Sequence, residues 1–389
     1  MKEKVHRTLK LMEVRKVRYR EFGRLGIKVS RLGLGAMRLP MTSDGAHVDE
    51  EKAIPVIQRA LELGVNYVDT APYYCSSESE IVVGKAIKGW RDRIYLSTKN
   101  PVDDAKEATF RGWLEKSLRK LDVDYIDFYH MWGIKWSTYV ERIAVPGGAL
   151  DAARKAQEEG LIRHISFSFH DSPENLFKLI DTGHFASMTV QYNLLDRANE
   201  EAISYAHEKG MGVVIMGPVG GGRLGVPSAE IRRLLPIGAM STPELALRFV
   251  LSHPGVDIAL SGMGTIQMVE ENASTASRAE TLTPEERSHA QEALDRIKEL
   301  ANLYCTGCGY CMPCPNDVNI PVNFEYMIYY KVYGLKEAAR ELYAKLGTPG
   351  YQIKGLPANA CQECGECEPK CPQSIPIMAQ LKEVAEALG

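Results

Sequence analysis

Eight of the nine cysteines fall between Cys305 and Cys371, in two tight groups. The first reads Cys305-x2-Cys308-x2-Cys311-x2-Cys314-Pro315 and the second Cys361-x2-Cys364-x2-Cys367-x3-Cys371-Pro372. Crowding of this kind in a long chain, with no apolar secretion signal at its start, points to metal ligation in a reducing cytoplasm rather than to disulfides. Three thiolates at two-residue spacing can cap three irons of a cubane, because Gly307, Gly309 and Gly365 let the loop wrap around it. A fourth cysteine ahead of a proline supplies the remaining iron, typically of the other cluster. On that logic Cys305, Cys308, Cys311 and Cys371 hold one 4Fe–4S cluster, and Cys361, Cys364, Cys367 and Cys314 hold the second. The competing occupant is zinc, whose all-cysteine sites use separated CxxC pairs instead of a repeated triple. The first group has two rather than three residues before its fourth cysteine, a departure that bears on the assignment of Cys314. Two such clusters can together hold the two electrons that a hydride carries.

A chain of 389 residues exceeds what one hydrophobic core usually organises. Four segments are expected: a basic leader over 1–16, a large domain over 17–275, a linker and helix over 276–300, and the cysteine module over 301–389. From about Val17 to Ser274, short apolar runs alternate with amphipathic stretches. Eight strands are expected at Arg31–Met37, Val65–Asp69, Ile94–Ser97, Tyr125–Tyr129, Ile162–Ser168, Met188–Val190, Gly212–Met216 and Asp257–Leu260. Helical patterns such as Glu50–Leu63, Lys106–Leu121 and Pro173–Asp181 separate them, and Gly64, Gly160 and Gly210 close several helices. Eight strand–helix units suit a parallel (β/α)8 TIM barrel in the α/β class, with an open doubly wound sheet as the alternative. Val17–Ser30 reads as a hairpin ahead of the first strand. In the cysteine module, a small and mostly helical unit, Asn323–Leu346 reads as one or two helices. A net charge of −3 gives no sign of a nucleic-acid partner, and no stretch is apolar enough to span a bilayer. Oligomeric state is not legible.

The large domain resembles the aldo-keto reductases. Phe22-Gly23-Arg24-Leu25-Gly26 through Leu34-Gly35-Ala36-Met37 looks like that family's amino terminus, and Asn66-Tyr67-Val68-Asp69-Thr70-Ala71-Pro72-Tyr73-Tyr74 with Ser79-Glu80 and Gly84 continues the match. Tyr125–Tyr129 and Gly160–Ile165 extend it, over residues 17 to 275. The cysteine-bearing tail resembles the branch of the family with a ferredoxin-like two-cluster extension. The resemblance implies an oxidoreductase that reduces or oxidises a small carbonyl or enone. Tyr74 would then be the proton donor, with Lys99 and Asp69 beneath it. The residues support this independently. A tyrosine with a pKa near 10 is a poor acid–base catalyst at neutral pH, and a nearby ammonium lowers that value. A carboxylate keeps the buried lysine charged. Asp69 ends the second strand, Tyr74 follows on the adjoining loop and Lys99 ends the third, so all three would meet at the carboxyl-end face where barrel enzymes place their chemistry.

The family's histidine position is held by Trp132. His130 lies two residues earlier on the same strand face, about 7 Å away, and is either a pocket residue or a core residue. Among the cofactor positions, Ser168 matches the serine that holds the nicotinamide amide, but its neighbour is Phe169. Thr189 stands at the family's glutamine, with Gln191 two residues on, and Met216 replaces the stacking aromatic. Gly262 and Met268 occupy the positions of the basic residues that grip the 2′-phosphate of NADPH, while Glu271-Asn272 is retained. The turn containing Gly221, Gly222 and Arg223 could bring amides and a guanidinium to phosphates. The implied cofactor is NAD(H), NADP(H) or FMN, NADH or the flavin being favoured by these departures. The implied electron partner is a ferredoxin- or flavodoxin-type carrier. An electron-transfer adaptor between NAD(P)H or flavin and ferredoxin, without carbonyl chemistry, is the alternative function. Cys75 is either a reactive thiol beside the pocket lysine or an inert one.

Overall fold

The computed structural model describes residues 16–194, 196–220, 224, 241–278, 282–288, 291–292, 305, 309, 311–351, 353–371 and 374–389. Two compact units are present: Met1–Gly222 with Pro243–Thr283, and Arg223–Thr242 with Pro284–Gly389.

The first unit opens with an antiparallel hairpin, β1 (Tyr19–Glu21) and β2 (Lys28–Ser30). Eight parallel strands then close into a barrel: β3 (Leu32–Gly35), β4 (Tyr67–Asp69), β5 (Tyr95–Asn100), β6 (Ile126–Ile134), β7 (Ile162–Phe169), β8 (Ser187–Gln191), β9 (Gly212–Met216) and β10 (Ile258–Ser261). Strand β10 pairs with both β9 and β3, so the sheet is closed and the open-sheet alternative is excluded. The helices between them are α1 (Glu50–Glu62), α2 (Ser79–Ala86), α3 (Glu107–Leu121), α4 (Ala149–Glu158), α5 (Pro173–Asp181), α6 (Glu200–Glu208), α7 (Thr242–Ser252) and α8 (Ile266–Ser277). Helix α8 runs through Thr275–Ser277, where the sequence suggested a polar linker.

The hairpin stoppers one end of the barrel. Phe22 and Val29 pack with Tyr67, Phe128, Val214, Ile258 and Leu260 into one buried cluster. Each such side chain contributes about 1.5–3 kcal/mol by leaving water. The fit depends on Gly212, where a Cβ would come within 2.5 Å of the Phe22 ring.

A second glycine sets the spacing between two of the outer helices. A Cβ on Gly84 of α2 would lie 2.4 Å from the Leu121 carbonyl oxygen at the end of α3. The two helices therefore touch backbone to backbone. Gly84→Ala is expected to cost about 1–3 kcal/mol, since neither backbone can yield without strain. Thermal unfolding of anaerobically prepared protein measures it.

In the second unit the spacer between the cysteine groups forms two helices, α9 (Ile320–Lys331) and α10 (Lys336–Lys345), and α11 (Ile377–Leu388) ends the chain. Helix α9 buries Tyr326, Tyr329 and Tyr333 just beyond its end, with ring centroids 6.1 and 6.2 Å apart in succession. Among the described residues no helix is long and apolar enough to cross a membrane.

Candidate active site

Strand alternation sends every second residue of the barrel strands inward, and their register stacks those residues in layers. Lys99 pairs in register with His130, His130 with Ser166, and Ser166 with Ser187. One step nearer the carboxyl ends, Ser168 is level with Thr189, and Gln191 with Met216.

At the carboxyl end of β4, Asp69 is buried and its Oδ2 accepts the Lys99 Nζ at 2.6 Å. Its Oδ1 accepts the Ser97 hydroxyl at 2.8 Å. The Lys99 ammonium also donates to the Thr70 carbonyl at 2.7 Å, and it lies 4.7 Å from the centre of the Tyr74 ring. Burial by itself would push the Lys99 ammonium down, but the Asp69 carboxylate and the Tyr74 hydroxyl carry it above its usual value. Lys99 is therefore a cation at neutral pH. For Tyr74 the sequence-based expectation of a lowered phenol is corrected. Burial pushes it up, and the opposing pull of Lys99 does not overcome that. Tyr74 is thus a fully protonated donor at neutral pH.

Trp132, in the position of the family histidine, is half-buried and packs edge-on to Tyr74, with ring centroids 5.8 Å apart at 90°. Tyr73, half exposed, lies 5.5 Å from Trp132 and 5.4 Å from Trp113. The mouth beside the phenol is consequently walled by aromatic rings. His130 is fully buried one layer below Trp132, with its Nε2 3.4 Å from the Tyr67 hydroxyl. Burial pushes its imidazole down to about 4, so it is neutral. Cys75 is not a thiolate either, since burial pushes it up, and its Sγ rests 3.5 and 3.4 Å from the Ala36 and Met37 carbonyl oxygens.

Of the expected cofactor contacts, Ser168 Oγ accepts the Gly133 N–H at 2.8 Å. The buried Thr189 hydroxyl makes no hydrogen bond among the described residues. The Gln191 amide lies over Gly217, where a Cβ would meet it at 2.7 Å. Asn272 donates to Ser261 Oγ at 3.2 Å, at the end of β10. A Cβ on Gly262 would lie 3.3 Å from the aliphatic carbons of Arg38, an arginine that the sequence alone does not bring to the place where the family's basic residue is absent. Gly221, Gly222, Arg223 and Cys308 lie outside the described residues.

In the second unit, Cys314, Cys361, Cys364 and Cys367 line one cavity together with Cys311 and Gly365. Asn316 Nδ2 approaches Cys364 Sγ at 3.9 Å, and the Glu363 N–H points at Cys361 Sγ at 3.4 Å. Gly365, with φ +76°, supplies the left-handed turn that the loop needs. No disulfide joins the described cysteines. Sulfurs converging on one cavity, with N–H groups aimed at them, fit a thiolate-bound iron–sulfur cluster.

Residues 31–295 match the model of the Aldo/keto reductase family. The chain belongs to that family. Residues 304–375 of this aldo/keto reductase match a second model, the 4Fe-4S dicluster domain. It is 28% identical to the uncharacterized oxidoreductase YqkF of Bacillus subtilis, over 71% of this chain and 97% of that protein. To the L-galactose dehydrogenase of Arabidopsis thaliana it is 26% identical, over 73% and 97%. Among solved structures, the holo form of aldo-keto reductase AKR11C1 from Bacillus halodurans superposes with a TM-score of 0.62 at 32% identity, covering 71% of this chain and 96% of that one. An aldo/keto reductase from Klebsiella pneumoniae, solved with NADP and acetate, gives 0.59 at 25% identity, covering 72% and 95%. This aldo/keto reductase is an oxidoreductase with a barrel like theirs and an additional dicluster domain.

Proposed function

We propose that the barrel reduces or oxidises a small, flat, conjugated carbonyl compound or enone, with electrons exchanged through two 4Fe–4S clusters in the tail. The observation that carries this reading is the Asp69–Lys99–Tyr74 chain at the barrel mouth, a buried ion pair under a protonated phenol. Tyr74 gives a proton to the substrate oxygen in reduction and takes it back in oxidation. Lys99 stabilises the phenolate left behind, and Asp69 with Ser97 holds the ammonium in place. His130, neutral and buried level with Lys99, packs the barrel interior beside this pair and transfers no proton.

Substrate class follows from the rings. An imidazole in the place of Trp132 would donate a hydrogen bond to any carbonyl. The indole with Tyr73 offers flat apolar surface instead, which favours conjugated rings over polyols. Ser168, Thr189, Gln191 and Asn272, with Gly221, Gly222 and Arg223, would hold a nucleotide. NAD(H), NADP(H) and FMN are the candidates, and the bound group would supply hydride. The Klebsiella relative was solved with NADP, which supports a nucleotide without fixing its identity. In the tail, Cys305, Cys308, Cys311 and Cys371 would hold one cluster and Cys314, Cys361, Cys364 and Cys367 the other. These would take single electrons from a ferredoxin- or flavodoxin-type carrier.

An anaerobic assay with reduced viologen dye and a panel of carbonyls and enones tests the reading. Wild type should prefer flat conjugated substrates, and Trp132→His should lose that preference while gaining small aliphatic aldehydes. Equal rates across the panel for both proteins overturn the substrate assignment. A second reading, an electron-transfer adaptor, is favoured by Trp132, Phe169 and Met216 in place of family residues. It requires dye reduction from NADH with no organic substrate present.

A further inference from the structure

The loop that carries Tyr74 is bent in an unusual way. Cys75, Ser76 and Ser77 have φ of +50°, +55° and +69°, three consecutive non-glycine residues in the left-handed region. Each costs about 1 kcal/mol or more unless its surroundings impose it. Lys120, in the last turn of α3, contacts both sides of this bend. Its Nζ lies 2.8 Å from the Ser77 carbonyl oxygen and 3.5 Å from that of Pro72. The same ammonium stands 3.9 Å from Glu80 Oε2, a carboxylate that is 1% exposed. Glu80 Oε1 accepts the Thr98 hydroxyl at 2.8 Å, and Thr98 precedes Lys99 on β5. A relay of named contacts therefore joins the strand that bears Lys99 to the loop that bears Tyr74. The close approach of Gly84 to Leu121 is what lets Lys120 reach across.

We infer that Lys120, held by Glu80, is a positioning residue that fixes the Tyr74 phenol over Lys99. This rests on the proton-donor reading of Tyr74, and the test keeps the two apart. Wild type, Tyr74→Phe, Lys120→Met, Lys120→Arg and the double variant Glu80→Gln/Lys120→Met are labelled with 13Cζ-tyrosine. The resonance missing from Tyr74→Phe belongs to Tyr74. The double variant removes the stranded carboxylate and so guards against simple misfolding.

In Lys120→Met and in the double variant, the Tyr74 resonance should shift and titrate at higher pH, because the phenol drifts from the ammonium that opposes its rise. In the dye-linked assay kcat should fall about ten- to a hundred-fold with KM unchanged, the scale of a misplaced reacting group. Lys120→Arg should restore most of both. An unmoved Tyr74 resonance with unchanged kcat, in either variant lacking Lys120, overturns the inference, even if melting temperature falls. If Tyr74→Phe turns over like wild type, the proton-donor reading falls, while the resonance shift still decides whether Lys120 positions the ring.

Discussion

Tyr74→Phe should lower turnover by about a hundred- to ten-thousand-fold, the range for loss of a positioned general acid. Substrate affinity should hardly change, because the ring and its edge-on contact with Trp132 remain. The hydroxyl is the only atom removed. Lys99→Met should be nearly as damaging for a different reason. It leaves Asp69 buried with a charge and no cation, which costs about 3–5 kcal/mol in a buried pair, so the protein should also lose stability. The pH dependence separates the two roles. Burial holds the Tyr74 phenol above its usual value, so the donor form persists from neutral into alkaline pH. The reductive rate limited by this step should stay flat there and fall only above the ordinary tyrosine range. In Tyr74→Phe that alkaline limb should vanish. A single-turnover pH series under anaerobic conditions measures both, and a limb that survives in the variant assigns the ionisation elsewhere.

The second large effect is expected at Cys314. If it completes the cluster of the opposite cysteine group, Cys314→Ala should drop iron from about eight to about four atoms per chain, with a matching loss of sulfide. The crossed ligation has a sharper signature. Alkylation followed by mass spectrometry should then label Cys361, Cys364 and Cys367 but leave Cys305, Cys308, Cys311 and Cys371 protected. The cavity shared by Cys314 with Cys361, Cys364 and Cys367 motivates this pattern. Labelling of Cys305, Cys308 and Cys311 instead would place Cys314 with its own neighbours. A full complement of iron, or zinc in its place, would overturn the ligand set altogether. Dye-linked turnover should be lost in the variant if both clusters carry electrons to the barrel.

Much of the barrel was legible because its strands obey one rule: short apolar runs bounded by glycine or acidic turns. Val65–Asp69 and Gly212–Met216 are such runs, and strands β4 and β9 lie within them. Helix α2 was not, since Ser79, Glu80, Val82, Val83, Gly84 and Ala86 are all buried and leave no polar face to give a period. Helix α11 carries a readable signal, with Ile377, Leu381, Val384 and Leu388 buried at helical spacing, which the dominant cysteine pattern obscured. At the site, the meeting of Asp69, Tyr74 and Lys99 followed from two strand ends and the loop between them. The packing of Tyr73 between Trp113 and Trp132 did not, because it joins a loop, a helix and a strand that are far apart in the chain. Lys120 was invisible for a related reason. A lysine near the end of an amphipathic helix reads as solvated, and only the folded chain shows its contacts with Ser77, Pro72 and Glu80. The elevated phenol went against expectation because the sequence shows the neighbouring cation but not the depth of burial.

The plug formed by Phe22 against Gly212 has a consequence for traffic. With that floor packed by Phe22, Val29 and Tyr67, the described residues leave traffic to the face that carries Tyr74 and Trp132. Reactant, product and exchangeable proton therefore wait on one another there. A flat inhibitor lodged against Tyr73 and Trp132 would halt all of them at once, however the reducing equivalents are delivered.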